Sequence, residues 1–394
     1  MSSAHTLDFD SARINNPYLT PAHHEWRTQL RRFVQREIEP YAEQWDEAGQ
    51  IPEEIFVKAA GTGMLALGYP EAYGGLSEGI DQWHINIMHE ELARVGVGGV
   101  TIALSVHTIS LPTVLAKASE HIRQLVGPAV ISGRKHISLG ITEPGGGSDV
   151  ANLRTTAIRD GDHYVVNGSK TFITGGMRAN WFSTAVRTGG DGTRGISLLL
   201  IPADLEGVSR TALDKKQGWW ASDTATIYFD DVRVPVANLV GEENQGFKAI
   251  MANFNTERLG LVTEMEAYAR VCVEEAVNWA QQRNTFGKRL ADHQVIRHKI
   301  ATMMQHINAT QAYIQCCTQQ LISGIENAAD IALLKVQASE TMELCAREAL
   351  QIFGGAGYLR GNKVERIYRE VRVQAIGGGS EEIMRDLAAR QYGV

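Results

Sequence analysis

A block of roughly 100 residues in the middle of the chain constrains the fold most strongly. Short runs rich in Val, Ile, Thr and aromatic residues follow one another between His136 and Phe229, with no helical stretch between them. A Rossmann-type sheet requires strands that alternate with helices, so this block excludes that fold. Apolar residues at helical spacing precede and follow the block. The sequence therefore predicts a mainly α protein with a central antiparallel β domain.

Turn signals separate several of the runs in this block. Asp160-Gly161 and Asn167-Gly168 tolerate positive φ angles, and each dipeptide is typical of a β-hairpin. We therefore expect a hairpin turn at both positions. The predicted strands are His136–Ile141, Leu153–Arg159, His163–Val166, Ser169–Ile173, Trp181–Arg187, Ile196–Ile201 and Thr224–Phe229.

Helical periodicity flanks the block on both sides. Trp26, Leu30 and Phe33 lie at helical spacing, and residues 83–93 continue the pattern. We expect a helical N-terminal domain (1–134), a middle β domain (135–240) and a C-terminal four-helix-bundle domain (241–394). The predicted C-terminal helices are Phe247–Arg283, His293–Ser323, Asp330–Phe353 and Ser380–Gln391.

Composition and charge disfavour several classes of protein. A net charge of −7 and 44% hydrophobic residues argue against disorder and against a nucleic-acid surface made by bulk positive charge. Cys272, Cys316, Cys317 and Cys345 form no CxxC pair, so we expect free thiols in the cytoplasm. The histidines show no metal-ligand spacing, and we predict no metal site. The sequence predicts no membrane span, and its first seventeen residues fit neither a signal nor a transit peptide.

Two segments of the β block are candidate ligand-binding sites. In residues 141–149 (ITEPGGGSD), three consecutive glycines allow close approach of backbone N–H groups, and Thr142 and Ser148 add hydroxyl groups. In residues 170–175 (KTFITG), strand alternation places Phe172 and Thr174 on one face, where they suit a flat ring. A loop that only turns the chain and a cross-strand structural pair are the alternatives.

A glutamate on the long predicted helix is a candidate general base. Counted at 100° per residue, Glu257 shares a face with Phe254 and Leu261. A carboxylate on an apolar face loses solvation, which raises its pKa toward the range that a general base needs. A buried ion pair, for instance with Arg258, is the alternative. Glu264 lies on the same stripe, and periodicity does not choose between the two glutamates.

Three further segments lie at helix ends. Arg283–Lys288 (RNTFGK) has basic residues where the helix dipole favours them, so an anion-binding arginine and a plain C-terminal cap compete evenly. Gln351–Tyr358 (QIFGGAGY) and Ile376–Glu382 (IGGGSEE) contain glycines, which are common at helix ends. Ser380 is the expected N-cap of the last helix. Each of these signals is weak by itself.

The order of the motifs is much more specific than any one of them. TEPGGGSD, KTFITG, RNTFGK, QIFGGAGY and GGGSEEIMRDL follow one another in a way that resembles the acyl-CoA dehydrogenase family, from near residue 20 to the C-terminus. The resemblance implies a helical N-terminal domain, a β-barrel middle domain and a C-terminal helical bundle. It also implies a homotetramer, built as a dimer of dimers, and FAD bound without a Rossmann motif.

The resemblance also implies the cofactor contacts. Phe172 stands where many members have tryptophan, and Thr174 would bond to the flavin near N5. Ser148 matches a residue that contacts both flavin and acyl-CoA, while Arg283 and Phe286 would contact the FAD of a neighbouring subunit. The complete set of implied FAD contacts is Leu139, Thr142, Gly147, Ser148, Phe172, Thr174, Arg283, Phe286, Gln351, Gly355, Ser380 and Glu382.

One departure from the family pattern relocates the catalytic base. Many members carry a catalytic glutamate in a C-terminal Tyr-Glu-Gly-Thr segment, but the matching position here is Gly378, which cannot abstract a proton. The isovaleryl-CoA and long-chain branches place their base on the long helix, immediately before an arginine, and Glu257-Arg258 matches that location. The resemblance thus implies Glu257 as base, with Ser148, Arg258, Gly378 and Gly379 contacting the substrate.

The implied reaction is α,β-dehydrogenation of an acyl-CoA thioester to the trans-2-enoyl-CoA, as in fatty acid β-oxidation. Glu257 would take the α-proton, and the β-hydrogen would leave as hydride to flavin N5. The flavin ribityl 2′-hydroxyl and the backbone N–H of Gly378 would polarise the thioester carbonyl. Electrons would pass to an electron-transfer flavoprotein. We expect a medium-chain, long-chain or branched substrate, because Gly378 removes bulk beside the thioester.

Two alternatives keep the same fold. An acyl-CoA oxidase would differ only in its reaction with oxygen, whereas the presence of Glu257 argues against a flavin monooxygenase. Non-enzymatic flavoproteins that bind nucleic acid carry an extra basic C-terminal domain. This chain is acidic overall and ends at Val394, so we expect no nucleic-acid partner.

Overall fold

The structure of the chain is a computed structural model that describes residues 7–325 and 327–394. The first six of the seventeen residues used in the targeting prediction therefore lie outside the described residues. The fold is mainly helical, and a mixed sheet is formed by the middle of the chain, which confirms the predicted fold class.

The described helices and strands are numbered in chain order. The helices are α1 (Pro21–Phe33), α2 (Ala42–Ala48), α3 (Glu53–Gly61), α4 (Gln82–Ala93), α5 (Gly98–Ser105), α6 (His107–Lys117), α7 (Glu120–Ile131), α8 (Gly246–Gln282), α9 (Gln294–Ile322), α10 (Ala328–Phe353), α11 (Lys363–Ile376) and α12 (Glu381–Gln391). The strands are β1 (Ile137–Gly140), β2 (Thr156–Asp160), β3 (His163–Thr174), β4 (Trp181–Arg187), β5 (Ile196–Pro202), β6 (Val208–Ala212), β7 (Thr224–Pro235), β8 (Asn284–Thr285) and β9 (Lys288–Arg289).

Contacts divide the chain into two compact units, which we describe separately. The bundle unit contains the described residues up to Glu43, Asp81–Gly98 and Arg258–Val394. The β unit contains Gln44–Ile80 and Gly99–Glu257. One boundary falls within α8, between Glu257 and Arg258.

The sheet of the β unit has the strand order β1-β4-β2-β3-β7-β6, and β5 pairs with β4. Most neighbours are antiparallel, but β1 and β2 each pair with β4 in parallel. Alternate residues of the strands point into an apolar core that includes Tyr164, Phe182, Leu199 and Ile227. The predicted hairpin at Asp160-Gly161 is confirmed, because β2 and β3 pair antiparallel across a short turn.

The second predicted hairpin, at Asn167-Gly168, is wrong. β3 runs without a break from His163 to Thr174, and its register against β7 shifts between Val166 and Gly168. Gly168 has a φ of +143°, and a β-carbon there would lie 2.7 Å from Thr155 Cα. The glycine therefore permits a β-bulge within one strand rather than a reversal of the chain.

The bundle unit has a large apolar core formed by α8, α9, α10 and α11, with Met265, Tyr268, Met303 and Leu334 fully buried. The predicted helices at these positions are confirmed within one or two residues at most ends. α11 was not predicted, since charged residues dominate its sequence. Its apolar residues at i, i+3 and i+7, starting from Val364, were the available signal.

α5 and α6 form the most hydrophobic helical stretch among the described residues. Gly98–Lys117 is long and apolar enough to cross a membrane by length and composition, with a mean hydropathy of 1.5. The protein itself buries 78% of the most apolar window of this stretch, as is typical of a core helix. This burial is consistent with the prediction of no membrane span.

α4 and α8 approach each other closely at Gly260. A β-carbon at this position would lie 2.5 Å from Nε2 of His89 on α4. The imidazole is held in place, because its Nδ1 lies 2.6 Å from Oε1 of Glu264. The contact therefore needs a glycine one turn before Glu264, in the part of α8 that also carries Arg258 and Leu261.

We expect Gly260→Ala to lower the free energy of unfolding by about 1–3 kcal/mol, because the added methyl overpacks this contact. An alanine in place of glycine otherwise stabilises a helix by about 1 kcal/mol. Gly61→Ala on α3, where nothing lies within 4 Å of the added β-carbon, is the matched control. Thermal unfolding measures both changes, and an unchanged Tm for Gly260→Ala contradicts the packing argument.

Candidate active site

A buried ion pair holds the glycine-rich segment 142–149 of the β unit. Oε1 of Glu143 accepts hydrogen bonds from Nζ of Lys170 at 2.7 Å and from the N–H of Thr155 at 2.9 Å. Its Oε2 accepts from the N–H of Arg154 at 2.6 Å. Nζ of Lys170 also donates to the carbonyl of Ile141 at 3.2 Å. Glu143 and Lys170 therefore connect the two candidate ligand-binding segments, although neither was among the predicted site residues.

Burial and mutual attraction act in opposite directions on this pair. Burial alone would raise the pKa of Glu143, but Lys170 and the backbone N–H donors hold this pKa below its usual value. Burial lowers the pKa of Lys170 to about 8, and Glu143 opposes that change. Both groups are therefore charged at neutral pH, and removal of one partner would leave an uncompensated buried charge.

Phe172 lies in a bulge of β3 and projects from the sheet. The register against β7 shifts between Lys170 and Ile173, and Phe172 has a φ of +57°. Its side chain is 70% exposed, whereas Thr174 is half-buried. The bulge interrupts the strict alternation from which a shared face for Phe172 and Thr174 was predicted, so that shared face stays a prediction. An exposed aromatic residue on strained backbone is typical of a ligand-binding surface.

The predicted flavin contacts of the β unit lie on adjoining segments. The N–H of Thr171 donates to the carbonyl of Thr142 at 2.8 Å, which joins the glycine-rich segment to β3. The hydroxyl of Ser138 on β1 donates to the carbonyl of Thr174 at 2.8 Å. The structure thus brings together the segments that carry Leu139, Thr142, Gly147, Ser148, Phe172 and Thr174.

In the bundle unit, three glycines connect α11 to α12. Gly378 has a φ of +68°, and a β-carbon there would lie 2.8 Å from Cδ1 of Leu261. Nε of Arg258 donates to the carbonyl of Gly378 at 3.1 Å, so these two predicted substrate contacts are neighbours. A glutamate at position 378 would be strained in its backbone and crowded by Leu261. Leu261 also limits the room that Gly378 was predicted to leave beside a substrate.

The backbone N–H of Gly378 is available to a ligand. Within residues 7–325 and 327–394, it donates to no protein acceptor. The preceding N–H, that of Gly377, is used, since it donates to the carbonyl of Val373 at 2.7 Å. Gly379 adopts a φ of +106°. The linker therefore presents the N–H of Gly378 from a backbone position that favours glycine.

The two candidate base residues on α8 have different surroundings. Glu264 is buried in the bundle unit, where it contacts Nδ1 of His89 at 2.6 Å and Nε2 of Gln374 at 3.4 Å. This carboxylate is therefore part of a structural network. Glu257 is half-buried, with its Oε2 shielded from solvent. Glu264 therefore contacts an imidazole and an amide within the bundle unit, and Glu257 stays the predicted base.

The remaining predicted cofactor contacts lie in the bundle unit. Phe286 is at the tip of the β8–β9 hairpin with its side chain 97% exposed, and Ser380 accepts a hydrogen bond from the N–H of Ile383 at 3.4 Å as the N-cap of α12. Gly355 follows α10 in a short 3₁₀ turn. The predicted contacts that are exposed here are Arg283, Phe286, Gln351, Gly355 and Glu382.

A cluster of potential metal ligands was missed in the sequence. His23, Asp81 and His84 have ligand atoms within 4.8 Å of one another. Hydrogen bonding explains the cluster, because Oδ1 of Asp81 caps α4 by accepting from the N–H groups of Trp83 and His84. His23 in turn accepts from the N–H of Thr20 at the start of α1. These groups take part in two capping boxes, at the starts of α1 and α4.

The geometry of the β unit fits a flat cofactor. Comparisons with known proteins show to which family the chain belongs. The profiles "Acyl-CoA dehydrogenase, N-terminal domain", "middle domain" and "C-terminal domain" match residues 20–134, 138–232 and 244–393. The chain therefore belongs to the acyl-CoA dehydrogenase family, and it is an oxidoreductase that acts on acyl-CoA.

Similar proteins span nearly the whole chain. The acyl-CoA dehydrogenase AFT10-1 of Alternaria alternata is 37% identical, and the alignment covers 96% of this chain and 93% of that protein. The mitochondrial long-chain specific acyl-CoA dehydrogenase of Sus scrofa is 35% identical over 94% of this chain and 86% of its own. The solved structure of a probable acyl-CoA dehydrogenase from Mycobacterium abscessus is 43% identical, covers 95% of this chain and 99% of its own, and has a TM-score of 0.92.

The family uses FAD, as predicted. A glutaryl-CoA dehydrogenase from Mycobacterium smegmatis, with a TM-score of 0.89 and 24% identity, was solved in complex with FADH2 and covers 95% of each chain. The residues of this protein fit such a group, because Phe172 is exposed and the backbone at Gly145, Gly146 and Gly147 is open, so that an added β-carbon would meet little or nothing. The hydrogen bond from Thr171 to Thr142 joins the two segments that carry these residues. Another neighbour, from the structure of the electron transferring flavoprotein of Acidaminococcus fermentans, is 27% identical with a TM-score of 0.90 and covers 96% of this chain and 99% of its own.

We expect Glu143→Gln to destabilise the protein by about 3 kcal/mol and to lower its content of bound FAD, because Lys170 would be left as a buried charge without its anion. Asp160→Asn is the matched control, since it breaks the exposed ion pair with Arg233 and should change stability by less than about 1 kcal/mol. Thermal unfolding and the ratio of FAD to protein after purification measure the two effects. If Glu143→Gln and Asp160→Asn have the same Tm and the same FAD content, Glu143 does not hold the glycine-rich segment in place.

The same variant should change how stability depends on pH. The pKa of Glu143 is lowered in the fold, so its carboxylate stabilises the fold fully above its ordinary pKa of 4.5. That stabilisation is lost as the pH falls through the lower folded-state value. The difference in Tm between the wild type and Glu143→Gln should therefore shrink as the pH is lowered from 7 toward 3. A difference that stays constant over this range contradicts the assignment.

Proposed function

We propose that this protein catalyses the α,β-dehydrogenation of an acyl-CoA thioester to the trans-2-enoyl-CoA, with Glu257 as the base. The observation that carries the proposal is the pairing of Gly378, which has no side chain, with Arg258, the residue that follows Glu257 on α8. A glycine at 378 removes the alternative base, and Glu264 is already engaged with His89 and Gln374.

The protein's own groups divide the work of the reaction. The carboxylate of Glu257, a half-buried side chain, takes the α-proton. The N–H of Gly378 donates to the thioester carbonyl, which stabilises negative charge as the proton leaves. Arg258 holds the carbonyl of the same residue, which restrains the backbone next to that donor. Ser148 and Gly379 complete the proposed substrate contacts.

FAD supplies the acceptor for the hydride that leaves the β-carbon. In the β unit it would be held by Leu139, Thr142 and Thr174 together with Gly147, Ser148 and the exposed ring of Phe172. In the bundle unit Arg283, Phe286, Gln351, Gly355, Ser380 and Glu382 are the proposed contacts. We also propose an electron-transfer flavoprotein as the electron acceptor, which the likeness to the chain from Acidaminococcus fermentans supports.

The proposed substrate is a medium-chain, long-chain or branched acyl-CoA, in a pathway such as fatty acid β-oxidation. The likeness to the long-chain enzyme of Sus scrofa supports this proposal. Leu261 reaches the space where a β-carbon of residue 378 would be, so its methyl group is the apolar surface next to the carbonyl-binding N–H. An apolar surface there suits an unsubstituted or methyl-branched acyl chain better than a polar one.

We further propose a homotetramer located in the cytoplasm. Phe286, Tyr358 and Leu359 are large apolar residues with most of their surface exposed, near residues that would bind FAD with a neighbouring subunit. The four cysteines are free thiols, as expected in a reducing compartment. Light scattering of Phe286→Ser would test the assembly, and an unchanged mass together with unchanged FAD content would exclude Phe286 from it.

We expect Glu257→Gln to retain bound FAD but to reduce its flavin with acyl-CoA at least about a hundredfold more slowly, because the base is removed and the shape is kept. Anaerobic bleaching of the flavin absorbance measures the rate. Full activity in this variant would end the assignment of Glu257.

Glu264→Gln is the matched control on the same helix. It alters the contact with His89, so we expect a lower Tm with a rate of flavin reduction close to that of the wild type. A large loss of rate with an unchanged Tm would instead make Glu264 the base.

The acyl group can be determined with a panel of linear and branched acyl-CoA thioesters. The preferred substrate should bleach the flavin fastest under anaerobic conditions, and Leu261→Ala should shift the preference toward bulkier acyl groups by opening space next to Gly378. An identical ranking in the wild type and Leu261→Ala contradicts the proposed position of the acyl chain. Reoxidation by oxygen and by an electron-transfer flavoprotein then separates an oxidase from a dehydrogenase.

A further inference from the structure

Lys335, on α10, is a completely buried lysine with no part in the reaction described above. Its ammonium donates a hydrogen bond to the carbonyl of Ala375 at 3.0 Å. Ala375 lies in the last turn of α11, where carbonyl groups have no partner within the helix. Lys335 therefore caps the end of α11, three residues before Gly378.

The charge of Lys335 suits this position. Burial lowers the pKa of Lys335 to about 8, and Arg258 also lowers it, while Glu381 and Glu382 on α12 raise it. The side chain is therefore largely protonated at neutral pH. A cation at the C-terminus of a helix interacts favourably with the helix dipole. A charged donor also forms a stronger hydrogen bond to this carbonyl than a neutral donor would.

Two buried cations thus hold the backbone on either side of the catalytic N–H. Lys335 binds the carbonyl of Ala375, and Arg258 binds the carbonyl of Gly378 at 3.1 Å. Between these two carbonyls, the N–H of Gly377 donates to Val373 and the N–H of Gly378 is available. The N–H of Gly378 shares a planar peptide group with the carbonyl of Gly377. The hydrogen bond from Gly377 to Val373 holds the peptide group before it, and Arg258 holds the one after it. Lys335 holds the peptide group that precedes these three, so the directions open to the N–H of Gly378 are limited.

We propose that Lys335 is a positioning residue for recognition of the thioester carbonyl. Its hydrogen bond to Ala375, together with that of Arg258 to Gly378, aims the N–H of Gly378 at the carbonyl oxygen of a CoA thioester. The inference rests on the proposed function, which assigns this N–H to the substrate. It adds that Lys335 holds the end of α11 without contacting the substrate. The position of that helix end then determines how strongly the thioester carbonyl is bound.

A pair of ligands that differ only at the carbonyl separates this role from a general structural one. One ligand is the 2-enoyl-CoA product, and the other is the alkyl-CoA thioether of the same chain length, which lacks the carbonyl oxygen. In Lys335→Met we expect the enoyl-CoA to bind about tenfold more weakly, while the thioether binds as it does to the wild type. The kcat of the FAD-loaded enzyme should fall by about ten- to a hundredfold, with a smaller change in KM.

Ser339→Ala is the matched control, because Ser339 lies one turn further along α10 and is also buried. Its hydroxyl donates to Glu381 at 2.7 Å and does not touch the linker. Ser339→Ala should keep the wild-type ratio of the two affinities. Hydrogen exchange of residues 374–380 gives a readout independent of FAD and substrate, and it should quicken in Lys335→Met but not in Ser339→Ala.

Each outcome decides the proposal. Equal weakening of both ligands in Lys335→Met, or no change in either, overturns the positioning role. If Lys335→Met does not fold, Lys335→Gln keeps a neutral donor of shorter reach, and the same two ligands and exchange measurement apply to it. A wild-type protein that binds thioester and thioether equally contradicts the use of Gly378 in the proposed function itself. If the wild type binds the thioester more tightly than the thioether and Lys335→Met does so to the same extent, only the role of Lys335 is overturned.

Discussion

Burying a charged side chain costs several kcal/mol unless other groups replace the water that it loses. The bundle unit shows how this requirement organises the chain. Glu90 on α4 is buried, and its carboxylate contacts Arg13, Arg27 and Arg270 at 2.8–2.9 Å. Burial opposes ionisation, but the three arginines keep the pKa of Glu90 well below its usual value. Because any other arrangement would leave a charge uncompensated, the segment before α1 is fixed against α4 and α8.

The same requirement explains how the protein aims backbone groups. A peptide N–H has no side chain of its own, so its direction depends on the groups that hold the peptide groups around it. Arg258 and Lys335 do this at the end of α11, where three glycines provide the backbone angles. Glu143 does the equivalent in the β unit, where its carboxylate accepts from two backbone N–H groups and from Lys170. Glycines and buried charged groups therefore act together. A glycine permits an unusual backbone conformation, and a buried charged side chain holds the backbone in it.

The architecture could be predicted from the sequence because it depends on local periodicity. The long helices and most strands follow from apolar spacing, and the order of the motifs identified the family. Local rules failed where a distant part of the chain decided the outcome. Asn167-Gly168 has the composition of a hairpin turn, yet it forms a bulge because β7 continues to pair on both sides of it. α11 was missed because only a few of its residues are apolar. These residues form one narrow face of the helix, and other helices of the bundle unit bury that face.

The candidate site shows the same limit at the level of single residues. Periodicity placed Glu257 and Glu264 on one stripe of α8 and gave no reason to prefer either. The structure adds His89, which is 175 residues from Glu264 in the sequence and lies 2.6 Å from the carboxylate of Glu264. A carboxylate that accepts a proton from carbon needs a lone pair directed at the substrate, and one that is already bound to an imidazole and an amide has less capacity for this. His89 can approach because residue 260 is glycine. The surroundings of Glu264 on α8 therefore depend on a glycine whose importance no local pattern reveals.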